Sequence, residues 1–69
     1  MDIIITDINP NDGWYDYKAE LVGKKAEVLY QMHEHEDGWY GGLVTFFEPP
    51  IAGWGKSYTF FKVRYRTAE

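Results

Sequence analysis

Sixty-nine residues leave room for one hydrophobic core spanning 1–69, and the absence of cysteine excludes disulfides and thiolate zinc sites as its support. A formal net charge of −4 opposes non-specific nucleic-acid binding, which rests on neutralising phosphates, and attachment to an anionic membrane. Three Trp, six Tyr and four Phe make up 19% of the chain and are its remaining means of burial, since each buried ring removes roughly 150–250 Å² from water.

Asp2 stands where a signal peptide has its basic region, and Ile3-Ile4-Ile5 is far shorter than a membrane span. Without an export signal or cysteine, the chain is expected in the cytoplasm. Ile3 to Ile8 is rich in β-branched residues and predicts a first strand. The turn formers Asn9-Pro10-Asn11-Asp12-Gly13 end it. Trp14 to Leu21 has a divided pattern: Trp14-Tyr15-Asp16-Tyr17 alternates like an extended segment, while Lys18-Ala19-Glu20-Leu21 suits one helical turn. After Gly23, Ala26 to Met32 predicts a second strand, with Ala26, Val28 and Tyr30 on one face and Glu27, Leu29 and Gln31 on the other.

His33 to Gly38 is a hydrophilic hairpin tip in which Asp37-Gly38 supplies the turn dihedrals. The third strand runs from Trp39 to Phe47, and Gly41-Gly42 lets it bend or admit another backbone. Tyr40, Gly42, Val44 and Phe46 form its more apolar face, which turns Trp39 outward. Glu48-Pro49-Pro50 breaks the strand, and Ile51 to Ser57 is a loop with Trp54 between Gly53 and Gly55. In the last strand, Tyr58 to Arg66, Phe61, Val63 and Tyr65 are expected inside and Lys62, Arg64 and Arg66 in water. Asp-Gly-Trp-Tyr occurs at Asp12–Tyr15 and at Asp37–Tyr40, but the flanks differ, so these are two aromatic turn exits rather than a repeat. Short strands, short loops and no long helix predict an all-β fold, and the glycine-bent hairpin predicts a small, strongly curved barrel.

Three segments carry a family resemblance. Tyr15-Asp16-Tyr17 resembles the end of the Ala-Leu-Tyr-Asp-Tyr segment of SH3 domains. Lys24-Lys25-Ala26-Glu27-Val28-Leu29 resembles the start of the strand that follows in that family, and Asp37-Gly38-Trp39-Tyr40-Gly41-Gly42-Leu43 its Asp-Gly-Trp turn and strand. The likeness covers Tyr15 to Leu43. The loop between Tyr17 and Lys24 is shorter than the family's, and its closing Pro-Ser-Asn-Tyr-Val segment is missing. The resemblance implies an SH3-like barrel of about five strands with at most one short helical turn. It also implies a peptide groove bordered by Tyr15, Tyr17 and Trp39. The texture of the chain further resembles short proteins of bacterial and phage genomes, a likeness that implies no activity.

The leading expectation is a non-catalytic protein-interaction module. Tyr15, Tyr17, Trp39 and the loop residue Trp54 would hold an extended segment of a partner protein or peptide, or of a second copy, because flat rings form slots for a polyproline helix. The same rings would otherwise close the core, and Trp54 would cap the barrel. A second reading is a single-stranded nucleic-acid barrel using Lys62, Arg64 and Arg66, although basic residues on a strand also guard a sheet edge. A third is a structural subunit of a phage-derived assembly, its rings buried on oligomerisation. His33 and His35 alternate along an extended segment and could share a metal, but no third histidine or cysteine completes a zinc site. No cofactor is implied, and Ser57 has no nucleophile elbow around it.

Overall fold

The computed structural model describes residues 1–68. The β-branched run at the start forms β1 (Asp2–Ile8), followed by β2 (Lys25–Val28), β3 (His33–Glu36), β4 (Trp39–Phe46) and β5 (Ser57–Thr67). These five antiparallel strands lie in the order β2-β1-β5-β4-β3, and a further pairing of β2 with β4 closes four of them into a small barrel. The Trp14–Leu21 ambiguity resolves towards helix. A 3-10 turn, Tyr15–Tyr17, leads into the single helical turn α1 (Lys18–Leu21). Leu21 anchors this turn in the core, and Gly23, at φ 88°, donates its amide to the Ile5 carbonyl.

Ile3, Ile5, Ile8, Leu21, Ala26, Val44, Phe46, Phe60 and Val63 are each no more than 2% exposed. Burial in β1 steps by two and then by three, and the β1–β5 register shifts between Ile5 and Asp7. β5 behaves likewise: Tyr58, Phe60 and Val63 are buried, and Phe61 and Lys62 together face the single Gly41 of β4. Such bulges add twist, which lets so few strands curl into a closed ring. Glycine at position 41 permits the close approach, since a Cβ there would stand 2.6 Å from His35 Nε2 and 2.8 Å from the Phe60 carbonyl oxygen.

Three sequence expectations are corrected here. Phe61 is 62% exposed, because the bulge puts it, with Lys62, between buried Phe60 and buried Val63 and turns it outward. The second strand stops at Val28, where Leu29 and Tyr30 both donate amides to the Leu43 carbonyl, and Tyr30 ends up 69% exposed. His33 to Glu36 is a paired strand rather than a tip, tied by the Glu36–Lys62 ion pair at 2.9 Å.

Beyond Ile8, β1 no longer covers the edge of β5, and the turn after it takes over. The Asn9 amide donates to the Lys62 carbonyl at 2.9 Å. Asp12 Oδ2 accepts the amides of Phe61 and Lys62 at 2.8 Å each, and its Oδ1 accepts that of Trp14 at 2.8 Å. Trp14 Nε1 donates to the Thr59 carbonyl at 3.1 Å. A carboxylate and an indole thus satisfy backbone groups that would otherwise be an open sheet edge. At the other end of the pair, the Ala68 amide donates to the Asp2 carbonyl at 2.9 Å.

Candidate functional site

The 3-10 turn places Trp14 and Tyr17 three residues apart on one side, the spacing at which helical side chains meet. Their ring centroids are 5.7 Å apart and inclined by 60°. The loop before β5 brings in Trp54, 5.9 Å from Trp14 and 5.2 Å from Tyr17, at 69° and 52°. Tyr58 lies beneath, 4.7 Å from Trp14, and continues the cluster into the core through Phe46 at 5.4 Å.

The loop has its own supports. Gly53 takes φ 83°, open to glycine at no steric cost, and the Trp54 amide donates to the Ile51 carbonyl. The Tyr58 hydroxyl donates to the Gly55 carbonyl at 3.0 Å. Burial pushes the Tyr58 phenol above its ordinary pKa, so the donor proton is retained through neutral pH. Trp54 itself remains 46% exposed, while Trp14 and Tyr17 are half-buried. The result is a surface of three mutually inclined rings, one of them well exposed to solvent.

The four aromatic residues singled out from sequence divide between three places. Tyr17 and Trp54 meet. Tyr15, 38% exposed, turns to a shallow groove of about 630 Å³ that it lines with Asp16, Lys18, Ala19 and Val22, the Lys18 ammonium lying 5.7 Å from its ring. Trp39 begins β4 under the Arg64 guanidinium, 4.0 Å from its ring, and Arg64 Nε also donates to the Gly38 carbonyl. Among the described residues neither Tyr15 nor Trp39 contacts another ring. Trp14 and Tyr58 were not expected at the site. The i, i+3 spacing of Trp14 and Tyr17 was the available signal for the first.

On the basic strand, Lys62 is paired with Glu36 and Arg64 lies on Trp39, while Arg66 remains exposed with a 3.4 Å contact to the Thr67 carbonyl. His33 and His35 are both exposed on β3, and among the described residues no three His, Asp or Glu side chains converge as metal ligands. No helix among the described residues is long and apolar enough to cross a membrane. Comparison with protein-family models, curated proteins and solved structures gave no match.

Proposed function

We propose that this protein is a non-catalytic interaction module that holds an extended segment of a partner protein on its Trp14–Tyr17–Trp54 surface, with Tyr15 on the adjoining rim. The observation that carries this reading is Trp54. A large ring, 46% exposed, is supported from below by two others instead of being buried among them. Tryptophan in such a position is the residue type most often found as an anchor at protein interfaces. A four-strand ring with one added strand is compatible with an SH3-like barrel, which agrees with the resemblance over Tyr15 to Leu43. The nucleic-acid alternative is less well supported, because Glu36 and Trp39 already engage Lys62 and Arg64.

The test is a titration of the three indole N–H resonances with a pool of extended, proline-rich peptides. Saturable movement of Trp54 and Trp14, with Trp39 unmoved, is the expected result. If no indole responds to any extended peptide, the reading is lost.

A further inference from the structure

We propose that Asp37-Gly38 is a site of spontaneous covalent modification, at which Asp37 isomerises to isoaspartate and Glu34 accepts the proton that starts the reaction. The chain carries its own comparison. Asp-Gly-Trp-Tyr occurs at Asp12–Tyr15 and again at Asp37–Tyr40, so both aspartates precede the same three residues. Ring closure onto the next amide is easiest before glycine, and both sites share that intrinsic reactivity. The fold sets them apart.

In the reaction the Gly38 backbone nitrogen attacks Asp37 Cγ. Its proton passes to the base as the C–N bond forms, and the hydroxyl of the side-chain carboxylic acid departs with that proton as water. Water then opens the five-membered imide at either carbonyl. One opening restores aspartate. The other leaves the main chain running through the side chain, with the α-carboxyl group free and the mass unchanged. No oxidant or other reagent is required.

Asp12 is held out of this chemistry. It is 4% exposed, and its two oxygens accept the amides of Trp14, Phe61 and Lys62 at 2.8 Å each. Turning its Cγ onto the Gly13 nitrogen breaks these bonds, and hydrogen bonds to a charged group hold by about 1.5–3 kcal/mol each. Asp37 is exposed, and among the described residues its carboxylate has no hydrogen bond or ion pair. The attacking nitrogen is also placed for proton loss. The Gly38 amide donates to Glu34 Oε2 at 2.8 Å, within the reach required of a general base.

The product would alter the hairpin. Glu36 and Trp39 are register partners joined through Asp37 and Gly38 alone. Isoaspartate adds one methylene to that two-residue link, which displaces the pair and loosens β3 from the Trp39–Gly41 edge of β4.

The experiment ages the full chain near neutral pH, folded and in parallel in concentrated guanidinium chloride. Tryptic peptides Met1–Lys18 and Ala26–Lys56 separate the two sites, and electron-transfer fragmentation identifies isoaspartate in each. Unfolded, the two sites should react at comparable rates. Folded, Asp37 should isomerise about tenfold or more faster than Asp12, which reacts only through opened states. Glu34→Gln keeps a hydrogen-bond acceptor for the turn and should slow Asp37 by about threefold or more in the folded chain alone. In the aged fraction the Trp39 indole and β3 amide resonances should move while those of Ile3 to Ile5 stay. A folded chain in which Asp37 is no faster than Asp12 overturns the site. An unchanged or faster rate in Glu34→Gln overturns the proton transfer, and unmoved Trp39 and β3 resonances overturn the effect on the hairpin.

Discussion

The Asp12 carboxylate accepts the Phe61 amide at 2.8 Å across a sequence separation of 49 residues, and the Lys62 amide shares the same oxygen. Asp12→Ala leaves those N–H groups and that of Trp14 without their acceptor. A loss of about 2–4 kcal/mol in urea unfolding is expected. Asp12→Asn, which keeps one carbonyl acceptor, should fall between wild type and Ala. A loss below about 0.5 kcal/mol for Ala, the range of an ordinary surface change, would remove Asp12 from this role.

Phe60 and Phe61 are adjacent, yet one is 1% and the other 62% exposed. Phe60→Ala is expected to cost about 3–5 kcal/mol, and Phe61→Ser to stay within about 0.5 kcal/mol of wild type. Comparable losses for the two substitutions would contradict the bulge.

Gly41 is expected to tolerate no side chain. Gly41→Ala puts a methyl group against His35 and the Phe60 carbonyl, a crowding that costs about 1–3 kcal/mol. Adding His35→Ala relieves only the side-chain part. The double variant should therefore remain less stable than His35→Ala alone, and full recovery would show that the backbone contact is harmless.

Asp7 and Lys18 meet at 2.7 Å and join β1 to α1. The hydrogen bond from Lys18 is the main cause of a lowered Asp7 pKa, opposed by desolvation and helped by the Ile8 amide. A carboxylate whose pKa is depressed in the folded state stabilises above its unfolded value and loses that contribution as pH falls through the folded one. The acid limb of a stability–pH profile, below pH 4, should be shallower in Asp7→Asn than in wild type. The difference is small because the pair is substantially exposed. Identical limbs would refute the assignment.

Trp39 and Arg64 should be coupled by about 0.5–1 kcal/mol, the range of an exposed cation–π pair. A double-mutant cycle with Trp39→Leu and Arg64→Met measures it by chemical unfolding. Strict additivity would mean that the stacked guanidinium contributes nothing.

The strands were legible where β-branched content was dense, as in Ile3 to Ile8, or period-two alternation unbroken, as in Val44 to Phe46. They were misread where a bulge changes parity. Nothing in Phe60-Phe61-Lys62-Val63 marks which phenylalanine is turned out, because the deciding contact comes from Asp12. In isolation that aspartate looks like one more turn former. β3 reads as a tip in sequence because four consecutive charged or imidazole side chains suggest solvent. They are indeed solvent-facing, and what the composition could not show is the backbone pairing to Trp39, Tyr40 and Gly41. At the site, Tyr17 and Trp54 were named from sequence and do meet. The SH3 resemblance groups Tyr15 with Tyr17 and Trp39 along one groove, whereas the 3-10 turn pairs Tyr17 with Trp14.

The backbone of Asp2 and that of Ala68 are joined by one hydrogen bond, so both ends of the described chain leave the barrel side by side. The longest-range pairing of the fold is therefore also the one that a short covalent linker would turn into a local hairpin. Such a permuted ring, reopened at the Glu48–Pro49 bend, trades the slowest loop closure of folding for a brief one. The same adjacency lets the whole domain sit as a cassette within a loop of a host protein, whose two connecting strands need only be a few ångströms apart.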